Sequence, residues 1–148
     1  MTRQSKDQPT TAQLATAFLQ HAATNADEDF WAYDRVGEIV RGPDAQAAWE
    51  ICVGLVRAAP DEQLGYIGAG PIEDLVCRHG AALIEWLEGE AKRDSRFREA
   101  LASIWLVADD IPREVLLRLQ ESTGGRILVH TRAEIDAANE GLSQSPRP

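Results

Sequence analysis

No C-x-x-C pair, no H-E-x-x-H helix and no Gly-Lys-Ser/Thr phosphate loop occurs in this chain, and no G-x-G-x-x-G turn. These absences remove the usual signatures of thiol redox chemistry, zinc hydrolysis and nucleotide binding. No apolar run approaches the roughly 18 residues that a membrane-spanning helix needs. The N-terminal stretch "MTRQSKDQPTT" lacks the apolar segment of a secretory signal. Only three histidines are present, His21, His79 and His130, and none sits in a ligand cluster with cysteine. No metal or other cofactor is therefore expected, and no residue is singled out as catalytic.

Basic residues are also scarce, 15 against 24 acidic ones, for a net charge of −9. A nucleic-acid binder needs a basic face to displace phosphate counterions, and anionic membranes repel the same balance of charge. Neither partner is expected. An acidic surface keeps a chain dispersed and can steer a basic protein toward it. The two cysteines, Cys52 and Cys77, each lie in an apolar helical pattern. They read as buried free thiols in a reducing cytoplasm.

What is present is helix. The 148 residues, 44% of them apolar, suit one domain with one core. Leu14, Ala17, Phe18 and His21 keep helical spacing after Thr10 or Thr11 as cap, with Asn25 at the end. Phe30, Trp31, Tyr33, Val36, Ile39 and Val40 line a second helix that Gly42 stops. Pro43 fits the first position of a third, which Pro60 ends. Asp61 can cap a short helix bearing Leu64 and Ile67. Later stripes run from Ile72 to His79, from Leu83 to Ala91, and through Phe97, Leu101, Ile104 and Trp105, with Gly80 as a left-handed stop between the first two. Pro112 begins another helix that Gly124-Gly125 closes. The spacing predicts an all-α single domain of seven or eight short helices in antiparallel pairs, either a HEAT-like stack or a compact bundle. Residues 1–10 read as a disordered N-terminus, 11–123 as the helical domain, and 124–148 as a tail. Within the tail, Thr131 and Glu134 have capping-box spacing for a short helix over 132–140. The β-like run "RILVH" has no obvious edge to pair with and reads as disordered.

The stretch "LGYIGAGPIEDLV", residues 64–76, reads as a helix–helix joint. Gly68 or Gly70 supplies a positive φ, Gly70 sits at the cap, and Pro71 at the first helical position. Glu73 and Asp74 then occupy the first turn, where the helix dipole favours acids, and Asp74 faces Arg78 one turn on. Adjacent on a helix, Glu73 and Asp74 diverge by about 100° and do not share a metal. The four tryptophans fall at mostly apolar positions and read as core. Phe30, Trp31 and Tyr33 crowd nearly every side of one helix, so at least one should be exposed and available as a contact residue. The basic cluster in "EGEAKRDSRFREA" reads as a solvated face of local ion pairs.

Three segments carry a family resemblance: "AAWEICVGLVRAAPDEQLGYIGAGPIEDLV", "HGAALIEWLE" and "RDSRFREALASIW", extended upstream by "FWAYDRVGEIVRGPDAQAAW". With its A-G-P-I/L-E-D-L turn, the chain resembles a family of small uncharacterised bacterial proteins, classed as a domain of unknown function. The resemblance implies an all-helical fold and carries no activity and no catalytic residues with it.

The function expected from these features is a non-catalytic, cytoplasmic, protein-binding module, in concrete form an immunity- or antitoxin-like protein that neutralises a basic effector. The interaction candidates are Phe30, Trp31, Tyr33, Glu73 and Asp74. Two alternatives stand beside it: a small enzyme or ligand binder with a pocket near Glu73, Asp74 and His79, and a structural subunit that forms a homodimer.

Overall fold

A computed structural model describes residues 8–143. The disordered N-terminus expected for residues 1–10 lies mostly outside that span, as does the end of the tail from residue 144. Helix α1 (Thr11–Thr24) opens on a reciprocal capping box. The Gln13 N–H donates to Thr10 Oγ1 at 3.1 Å, and the Thr10 N–H to Gln13 Oε1 at 2.9 Å. Asn25, left-handed at φ 55°, closes it. Helix α2 (Phe30–Arg41) buries Ala32, Val36 and Val40 at four-residue spacing. Helix α3 (Ala45–Ala58) starts two residues later than Pro43 suggested, because the Asp44 carboxylate takes the cap, accepting the Ala47 N–H at 3.1 Å.

The stretch after Pro60 departs most from its sequence reading. Residues Leu64–Ile67 form α4, Gly68–Ile72 a π-turn, and Glu73–Arg93 the long helix α5, in one continuous run. Gly70 caps nothing, and neither Gly68 nor Gly70 has a positive φ. The reason lies in Pro71. Inside an α-helix, proline lacks the N–H and its ring meets the carbonyl four residues back. Widening the turn by one residue removes that conflict, and the Glu73 N–H reaches back to Gly68 O. Gly80, expected to end a helix, lies buried within α5 against a Val115 methyl. The two stripes on either side of it are therefore one helix.

Helix α6 (Ser95–Ala102) stops before Trp105, which is not helical. Residues Trp105–Val107 form β1, helix α7 (Arg113–Thr123) follows, and Leu128–His130 return as β2. The strands are parallel, with Trp105 opposite Leu128, Leu106 opposite Val129 and Val107 opposite His130. "RILVH" thus has its edge, in a segment whose Phe97, Leu101 and Ile104 spacing looked helical. Helix α8 (Arg132–Ser143) comes last, its Glu134 N–H donating to Thr131 Oγ1 at 3.1 Å.

Helix α5 packs on α2, α3, α6 and α7, and α3 on α1, α2, α5 and α6. A solenoid stack would confine each pair to its neighbours, so this all-α fold is the compact bundle. Its core gathers Leu55, Ile67, Leu75, Leu87, Phe97 and Leu106, all fully buried. Of the four tryptophans only Trp49 packs against that core; Trp31, Trp86 and Trp105 are exposed, contrary to the core reading. The basic cluster is also more than a solvated face. Arg96 donates to Val56 O at 2.9 Å, to Ala59 O, and to the Asp61 carboxylate at 3.0 Å. It ties α6 to the C-terminal carbonyls of α3, and takes Asp61 for this pair rather than for a helix cap.

Candidate functional site

One cleft combines apolar walls with convergent polar groups. It opens between α2 and the run from α4 through the π-turn, and encloses about 300 Å³. Phe18 of α1, buried, forms its floor. Tyr33 stands on the α2 wall and Tyr66 on the α4 wall; each ring lies about 6 Å from Phe18, at 6.0 and 6.1 Å. Phe30 stacks on Tyr33 at 5.7 Å, and His21 sits against both. Phe30 and Tyr33 are 51% and 47% exposed, so the rim is aromatic and open to solvent. Burial, with Tyr33 nearby, raises the Tyr66 hydroxyl above its ordinary pKa, which keeps it neutral.

Polar groups close one end. Asp74 Oδ2 accepts from Arg41 Nη1 at 3.1 Å, not from Arg78 as its spacing suggested. Arg78 instead donates through Nε to Arg41 O at 3.3 Å. Both partners of the Arg41–Asp74 pair are well exposed, so the pair is worth about 0.5 kcal/mol. Asp34 also lines the cleft, and its carboxylate makes no hydrogen bond or ion pair among the described residues. The back wall is residues 69–71 of the π-turn, and nothing stands within 4 Å of where a Cβ on Gly70 would point.

The sequence candidates divide. Phe30, Tyr33 and Asp74 come together at this cleft. Trp31 does not: it lies about 140° around α2 from the buried Val36, on the outer face. Glu73 turns away toward β1, where Oε1 accepts the Trp105 N–H at 2.7 Å. Burial raises its carboxyl above the usual range, the Trp105 N–H opposes that shift, and Asp74 adds to it. His79 is buried under α2, with Nε2 donating to Val40 O at 3.1 Å. It serves an otherwise unpaired carbonyl near the end of α2, and not a helix end of its own. Glu73, Asp74 and His79 thus do not share a pocket.

Cys52 is buried as expected, while Cys77 is exposed rather than on the core side assigned to it. Burial, then Glu73, Asp74 and Asp110, raise the Cys77 thiol, so it is a poor nucleophile at neutral pH. Among the described residues no three His, Cys, Asp or Glu converge as metal ligands, and no helix is long and apolar enough to cross a membrane. Phe18, Asp34, Arg41 and Tyr66 were not foreseen as site residues. Tyr66 lay within the glycine-rich stretch already under scrutiny, four residues before Gly70. The others carried no local signal.

Fold and site together define a compact all-α domain with an aromatic-rimmed cleft beside α2. The chain belongs to the family of unknown function DUF6869, which matches residues 19–127. That span takes in the cleft from Tyr33 to Asp74 and ends before β2. No curated protein and no solved structure matches the chain.

Proposed function

We propose that this chain is a non-catalytic, cytoplasmic protein-binding module whose contact surface is the rim of the α2 cleft. The observation that carries the reading is the grouping of Phe30, Tyr33 and Tyr66, each about half exposed, around a concave site. Tyrosine is enriched among the few interface residues that carry most of the binding energy, each such hot spot being worth about 2 kcal/mol. The net charge of −9 is compatible with a basic partner and would speed its approach. An immunity- or antitoxin-like protein that covers a basic effector fits this description. The two free cysteines agree with a reducing compartment.

The test is affinity capture of the tagged protein from its own cells at low and moderate salt, with quantitative mass spectrometry. A stoichiometric partner should appear at low salt, weaken at moderate salt, and be lost from Tyr33→Ala while Trp31→Ala retains it. Capture that Tyr33→Ala leaves unchanged would remove the cleft rim from the interface.

A second reading has its own observation. At about 300 Å³ the cleft sits at the lower end of small-ligand pockets. It suits a ligand the size of one amino-acid side chain rather than a nucleotide. A clean preparation with no partner at either salt would favour this reading and call for a ligand screen.

A further inference from the structure

The cleft's chemistry selects what enters it. Its floor and two walls are the rings of Phe18, Tyr33 and Tyr66. Aromatic faces attract cations that come within about 6 Å of the ring centre. Three charged side chains line the cleft: Asp34, Asp74 and Arg41. Arg41 and Asp74 neutralise one another, which leaves Asp34 as the uncompensated charge. The site is therefore an aromatic slot with one free carboxylate at its mouth, on a protein of net charge −9. Among cationic side chains, a guanidinium is planar and weakly hydrated, stacks on aromatic rings, and presents a fork that matches a carboxylate. A lysine ammonium is compact, more strongly hydrated and cannot stack.

We infer that the cleft receives an arginine side chain of the basic partner, with its guanidinium against Tyr33 and Tyr66 and paired to Asp34. The inference rests on the protein-binding reading above and specifies what that partner inserts.

The experiment is an amide NMR titration of the full chain with N-acetyl-arginine methylamide, alongside its lysine and citrulline analogues. Citrulline keeps the shape of arginine and removes the charge. Arginine should give saturable shifts confined to Gly37, Arg41, Ala69 and Gly70. Lysine should bind more weakly and citrulline should give no saturable shift. Tyr66→Ala should weaken arginine binding about tenfold, and the exposed Asp34→Asn, which leaves the packing intact, about threefold. Shifts that do not saturate, citrulline binding that equals arginine, or full affinity in Asp34→Asn would each overturn the inference. If arginine fails in this way while Tyr33→Ala still abolishes partner capture, the module reading survives without it. If arginine binds as described and no partner is captured, the cation slot stands and the protein-partner reading falls.

Discussion

Gly68 and Gly70 stand two residues apart in the same π-turn and meet opposite surroundings. A Cβ on Gly68 would collide with the Ala100 carbonyl oxygen and lie 2.9 Å from Ser103 Cβ, because α6 crosses the turn there. A Cβ on Gly70, a residue that lines the cleft, would meet nothing within 4 Å. The closed face is occupied by backbone that cannot give way, and the open face by space. Two glycines that look equivalent in "GAGPI" therefore have different physical reasons. One permits close packing, and the other leaves room beside Tyr33 and Tyr66.

Substitutions separate the two faces. Gly68→Ala should have the largest effect, a loss of about 3 kcal/mol of stability in urea denaturation, since an added methyl must displace α6. A loss below about 1 kcal/mol would mean that the closed face yields. Arg96→Ala comes next, at about 2 kcal/mol, because it frees two carbonyls at the end of α3 that hold α6 in place. Gly70→Ala should reverse the sign. Its backbone is not left-handed, so alanine fits and should stabilise by about 0.5 kcal/mol, largely by restricting the unfolded chain. Destabilisation at Gly70 would break the comparison.

The thiols report the same contrast on a finer scale. Cys52, whose Sγ lies 3.7 Å from Pro71 O on the packed side, should resist labelling until the chain unfolds. Cys77 should label in the native state, but more slowly at neutral pH than a free cysteine. Its raised pKa lowers the thiolate fraction, and its rate should climb as pH passes above the ordinary thiol range. Rapid labelling of Cys77 at neutral pH would contradict that assignment.

The fold was legible where local chemistry acts alone. Thr10, Asn25, Pro60 and Gly124-Gly125 mark helix ends by capping and backbone geometry, and the structure uses each of them. It was illegible where a local signal has two solutions. Gly-x-Gly-Pro suits a joint, yet a widened turn accommodates the same proline without breaking the helix. Trp105 fits the stripe of Phe97, Leu101 and Ile104, yet it pairs as a strand once Leu128 comes alongside. Three-residue strands carry too little periodicity to announce themselves. The site was half legible. Crowding of Phe30, Trp31 and Tyr33 pointed to an exposed aromatic among them, and Asp74 was singled out from the turn. The position of Trp31 on the outer face, and the placing of Tyr66 and Asp34 on the same cleft, depend on tertiary packing that no local pattern encodes.

The central claim is that the open face of the π-turn is a binding face whose occupation is independent of the fold. Gly70→Leu tests it most directly, by adding a side chain to a cleft-lining residue beside which nothing now stands within 4 Å. The measurement is partner capture by this variant at low salt, with its urea midpoint recorded on the same preparation. The midpoint should equal or exceed that of the unsubstituted chain, and the partner should be lost. Capture that persists with the cleft filled would contradict it.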